Sequence, residues 1–175
     1  MLFHYKLMDF RITNKQKCHT CNEVTNMNQR EDLIEELNQL LKGTHMGAFI
    51  FEDLSAKITA HDLKVEFKRI LKILKKHEEM LTQHITELDG EAVDTSGFMG
   101  TMTDMMGMIK NLIIVTDIQV IEEATKSIEM GLKALRDFDD KHFTLSQTMQ
   151  KEIQIMKDDY SSIYHDLHKF LVEYK

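Results

Sequence analysis

The chain has 175 residues, 42% hydrophobic and 29% charged, with a formal net charge of −7, no proline and only seven glycines. That balance suits a soluble domain large enough to bury a core, and the lack of turn-forming residues excludes a sheet fold dense in turns. The acidic charge argues against a nucleic-acid surface or adhesion to an anionic membrane, and no apolar run approaches the roughly 20 residues that span a bilayer.

Residues 1–27 mix Phe3, Tyr5, Phe10 and Ile12 with polar residues at no sustained period, which predicts a poorly ordered arm ahead of one domain over 28–175. The arm lacks the apolar core of a secretory signal, so a cytoplasmic protein is expected. Cys18 and Cys21 form a CxxC, half of a zinc ribbon. No second CxxC exists, and His4 or His19 would have to complete a site, so an incidental pair is the simpler reading.

The first helix is expected from about Gln29 to Thr59, capped by Asn28, with Leu33, Leu37, Leu40, Thr44, Ala48, Phe51, Ser55 and Ile58 as its stripe. Gly43 and Gly47 inside it predict a close crossing or a bend. Glu52 lies on the flank of the stripe. The second helix spans Leu63 to Leu88, where Leu63, Phe67, Ile70, Leu74, Leu81 and Leu88 step by threes and fours. His77 and His84 fall into the same series, so two imidazoles point toward the core. The outer face carries Lys64, Lys68, Lys72, Lys75 and Lys76, a pattern typical of a solvated surface. Gly90 is suited to ending this helix.

A long link follows, rich in methionine. Met99, Met102, Met105 and Met108 step by three with Met106 beside them, a soft thioether set of the kind that holds Cu(I). In an α-helix each step of three loses about 60° of phase, so these residues cannot share one face, and an adaptable packing segment is the simpler reading. A third helix is expected from about Leu112 to Phe138, with Ile114, Ile118, Ile121, Thr125, Ile128, Leu132 and Leu135 inward and Glu122 and Glu129 on the flank. The last helix starts near Thr144, and Leu145, Met149, Ile153, Met156, Tyr160, Ile163, Leu167, Phe170 and Tyr174 carry its stripe.

Four helices joined short, long, short predict an all-α four-helix bundle, and a link of this length is expected to cross the bundle in the ferritin-like order. Ile73, Ile113, Val115 and Val120 lie off the stripes and widen the apolar faces, which points to a self-associating protein, a dimer being the simplest closed form.

From about Met27 to its end the chain resembles an uncharacterised bacterial family of ferritin-like bundles, relatives of rubrerythrin and bacterioferritin. The matching pieces are Gly43 through GAFIFEDL with Glu52, LKKHEEML with His77, the loop LDGEAVD, and SIEMGLKAL with Glu129. Di-iron members of that superfamily take one glutamate from each of two helices and a Glu-x-x-His pair from each of the other two. The resemblance makes Glu52, His77, Glu122 and Glu129 the candidate metal ligands, for iron or zinc. Yet Leu74 stands three residues before His77, Ser162 stands three before His165, and no Glu-x-x-His occurs in the chain. A complete di-iron oxidase is therefore not expected. There is no phosphate loop and no serine elbow either. The expected function is a non-enzymatic bundle with a degenerate di-iron site, acting by self-association or by binding another protein. The alternatives are a residual iron or zinc protein in storage, sensing or peroxide stress, and a copper handler using the methionine cluster.

Overall fold

The computed structural model describes residues 13–94, 114 and 116–174, with side chains from Met27 onward. The Cys18 and Cys21 side chains, the methionines from Met99 to Met108, and Ile113 and Val115 lie outside the described residues. Within them the chain forms four helices and no strand: α1 (Thr13–Ser55), α2 (His61–Glu87), α3 (Asp117–Asp139) and α4 (Gln147–Glu173).

On α2 and α4 the inward stripes follow the predicted periodicity; α1 also buries Leu41, Ile50 and Leu54, and α3 buries Val120, Ala124 and Phe138 while the expected Ile118 and Leu132 are only half-buried. On α2, Leu63, Phe67, Ile70, Leu74, His77, Leu81 and His84 are all buried, and on α4 so are Met149, Ile153, Met156, Tyr160, Ile163 and Leu167. Each fully buried leucine, isoleucine or phenylalanine contributes about 1.5–3 kcal/mol of transfer free energy. Val120 corrects the expectation of an apolar flank, because it is fully buried in the core of α3, and Ile73 is partly buried against that core.

Helix ends depart from the pattern where a local signal overrides it. The backbone of α1 is helical from Thr13 rather than from Gln29. No glycine or proline stands between Thr13 and Lys42 to break it, and a helix without an apolar stripe leaves no periodic trace. Helix α3 starts at Asp117 instead of Leu112, behind a reciprocal cap. Gln119 N donates to Thr116 Oγ1 at 3.3 Å, and Thr116 N donates to Gln119 Oε1 at 3.2 Å. Ser146 caps α4 by accepting from Met149 N at 3.2 Å.

The end of α2 also differs from expectation. Asp89, not Gly90, takes the left-handed conformation, with φ of 54°. Asp89 N donates to Thr86 O and Gly90 N to Ile85 O, both at 2.9 Å, which satisfies the last carbonyls of the helix. Gly90 is required for space: a Cβ there would lie 2.7 Å from Ile34 Cγ2 and 3.0 Å from Ile85 Cγ2.

The link after α2 leaves along α1, where Asn38 donates to Glu91 O at 3.0 Å and accepts from Val93 N at 2.8 Å. At its far end Asp117 bonds Thr59 and Ala60, in the turn between α1 and α2. The link therefore begins at one end of the bundle and finishes at the other. Helices α2 and α3 run in the same direction, antiparallel to α1 and α4, which is the ferritin-like order. Backbones approach closely between α1 and α2, α3 and α4, and α1 and α3; the α2–α4 seam is the most open of the four.

Candidate functional site

The centre of the bundle is built around Tyr160 of α4. Its side chain meets every other helix: Thr44 of α1 hydrogen-bonds to it, the His77 ring of α2 lies 6.0 Å away centroid to centroid, and Gly131 of α3 lies against its edge. A Cβ at Gly131 would come within 2.1 Å of Tyr160 Cε1, so only glycine leaves room for the phenol ring. Burial pushes the Tyr160 hydroxyl up to about 12, so the phenol is neutral throughout the physiological range. The hydroxyls of Thr44 and Thr125 turn back onto the backbone, to Leu40 O at 2.9 Å and Ile121 O at 2.7 Å.

Among the described residues the buried polar side chains are Thr44, His77, His84, Thr125 and Ser127, and no carboxylate is among them. The four candidate ligands do not converge. Glu52 is exposed and sits 3.6 Å from Lys75 Nζ. Glu122 and Glu129 are exposed on α3, where both lie near Lys126 and Glu129 accepts a hydrogen bond from Tyr164. Only His77 points inward, and it is 5% exposed. Among the described residues no three His, Cys, Asp or Glu side chains gather where one ion would reach them. A di-iron centre needs carboxylates to neutralise and bridge two cations. Here the interior offers hydroxyls, two imidazoles and hydrocarbon, so the residues present do not fit that group.

The histidines are instead paired across the α2–α4 seam. His84 Nε2 lies 2.6 Å from Glu152 Oε2. His77 Nε2 lies 3.1 Å from Asp159 Oδ2, at an angle too oblique for a hydrogen bond, so the contact is electrostatic. Two more rungs continue the line: Arg69 to Asp166 at 3.0 Å, and Tyr174 Oη to Asp62 at 2.9 Å. Sequence reasoning found both histidines but missed their partners. Glu152, Asp159 and Asp166 recur every seventh residue, a spacing that keeps one helix face and was visible in the chain. Burial pushes the His77 imidazole below the ordinary histidine range, and the Asp159 charge only partly offsets it.

A four-helix bundle of ferritin-like order, with a phenol at its centre where carboxylates would be needed, defines the class. The chain belongs to the family described as Domain of unknown function (DUF2383), whose model matches residues 32–141. Among proteins of curated function, none matches. A ferritin-like, diiron-carboxylate protein from Bacillus anthracis str. Ames is similar in fold, with a TM-score of 0.61, 17% identity, and coverage of 82% of this chain and 97% of that one. A two-domain protein from Anabaena variabilis, with DJ-1/ThiJ/PfpI-like and ferritin-like domains, matches with a TM-score of 0.53 and 19% identity. That match covers 82% of this chain, which spans 38% of the larger protein. Among the described residues no helix is long and apolar enough to cross a membrane.

Proposed function

We propose that this ferritin-like bundle works as a non-catalytic scaffold, by self-association or by binding another protein, rather than through a metal centre. One observation carries the reading: among the described residues the buried polar side chains are three hydroxyls and two imidazoles, beside the phenol of Tyr160, and none is a carboxylate. What is left for recognition is the surface. Val65 of α2 and Ile155 and Val172 of α4, the two helices that share the open seam, are 56%, 55% and 78% exposed. Large apolar side chains left in water on neighbouring helices suit a partner surface.

A residual iron or zinc protein is the second reading, and it draws on the likeness to the ferritin-like, diiron-carboxylate protein of Bacillus anthracis. The association reading is tested by sedimentation velocity at tens of micromolar. A dimer is expected, and Val65→Glu with Ile155→Glu is expected to shift it toward monomer. A wild-type protein that stays monomeric across that range contradicts self-association.

A further inference from the structure

Helix α2 divides its outer face by charge. Lys64, Lys68, Lys72, Lys75 and Lys76 are exposed along its first half, over about 18 Å of helix. Glu79 and Glu87 are the exposed acids of its second half, and Glu91 stands exposed just beyond its end. The other exposed charges of the first half, Asp62 and Arg69, turn toward α4 and are held there by Tyr174 and Asp166.

This arrangement works against the helix that carries it. Lys64, Lys68, Lys72 and Lys76 follow one another at i,i+4, where like charges repel. Lys64 near the start and Glu87 at the end also oppose the helix dipole. The rest of the molecule does not answer the row. Lys57, Lys126, Lys133, Lys157 and Lys169 each lie within 3.0 Å of a carboxylate. Among the described residues Lys68, Lys72 and Lys76 stand in no ion pair. Lys75 has Glu52 at 3.6 Å, with both side chains more than half exposed.

We infer that the outer face of α2 is where a second copy of the chain docks, α2 against α2 in antiparallel order, an inference that rests on the self-association reading above. One register sets Lys64 opposite Glu91, Lys68 opposite Glu87 and Lys76 opposite Glu79, with Lys72 opposite the neutral Gln83. A two-fold axis between residues 77 and 78 forms each pair twice, so the face is its own complement. Glu87 accepts from Gln83 at 2.7 Å yet keeps 56% of its side chain exposed, which leaves carboxylate surface for the partner. Val65, 56% exposed among the lysines, adds apolar contact. A parallel pairing would set lysine on lysine, so charge selects the antiparallel one. A nucleic acid or an anionic membrane would match the lysines alone and meet both the acids of the same face and a net charge of −7, whereas a second copy uses both halves.

Sedimentation velocity on the full chain, with reductant present, tests this by a charge swap. One variant carries Lys68→Glu and Lys76→Glu; the other carries Glu79→Lys and Glu87→Lys. All four sites are exposed, and thermal melts check that both variants fold. Each variant alone meets its own charge across the two-fold axis, and its dimer is expected to weaken at least about tenfold. An equimolar mixture of the two restores opposite signs at every pair and is expected to dimerise as wild type does. The wild-type dimer is expected to weaken between about 50 mM and about 500 mM salt. Variants that dimerise singly like wild type, or a mixture that stays monomeric beside a dimeric wild type, overturn this pairing and leave self-association to another face. A monomeric wild type overturns both.

Discussion

Tyr160 shows how one side chain and one missing side chain define the interior. The phenol crosses the bundle because Gly131 leaves a notch for it, and each is meaningful only beside the other. Gly131→Ala is expected to destabilise by up to about 2 kcal/mol, since overpacking costs about 1–3 kcal/mol and alanine recovers about 1 kcal/mol of helix propensity. Tyr160→Ala alone should cost about 3–5 kcal/mol, but much less when Gly131 is already alanine. Urea unfolding of the two single variants and the double variant measures this coupling, and simple additivity would contradict it. The burial of His77 and His84 was legible from the stripe that contains them. The Tyr160–Gly131 pair was not, because a tyrosine in an apolar series reads like any other core residue until its neighbour is known. Glu52, Glu122 and Glu129 lie one position off their stripes, and on a helix that is enough to turn a side chain from the core to solvent.

At the scale of elements, Asp117 carries the topology. Its carboxylate accepts from Thr59 N at 2.8 Å, Thr59 Oγ1 at 2.7 Å and Ala60 N at 2.9 Å, while standing in the first turn of α3. One charge thus serves the beginnings of two helices and anchors the far end of the crossing link. Burial alone would raise this carboxyl, but the donors of Thr59 and Ala60, with Lys64 nearby, hold it below the usual range. Its contribution is therefore present above the ordinary aspartate value near pH 4 and is lost as pH falls through the lower folded value. Asp117→Asn is expected to cost about 1–2 kcal/mol at neutral pH, a gap that closes in strong acid. Melts of both proteins at neutral pH and near pH 2 measure it, and a gap independent of pH would contradict the assignment. Helix existence and the inward faces of α2 and α4 were legible because periodicity records them, whereas α1 and α3 bury wider faces than their predicted stripes. The start of α3 was written in Thr116-x-x-Gln119 but masked by the apolar run before it. The partner of Asp117 was not legible, since it lies more than 50 residues away in the chain.

For the whole molecule, the core begins at Leu33, and every described residue from Met27 to Asp32 is exposed. A chain starting at Met27 is therefore expected to unfold within about 1 kcal/mol of the full chain. A larger loss in urea would mean that the first 26 residues pack on the bundle. The ferritin-like order itself was foreseen from the length of the link, and Asp117 at one end with Asn38 at the other bears it out. The central claim is that this interior is built to pack rather than to hold metal. Anaerobic loading of the full chain with Fe(II), and separately with Zn(II), followed by desalting, metal analysis and a thermal melt, tests it most directly. Uptake well below one ion per chain with an unchanged melting temperature is the expected result; two tightly held irons per chain, with stabilisation abolished in His77→Leu, would contradict it.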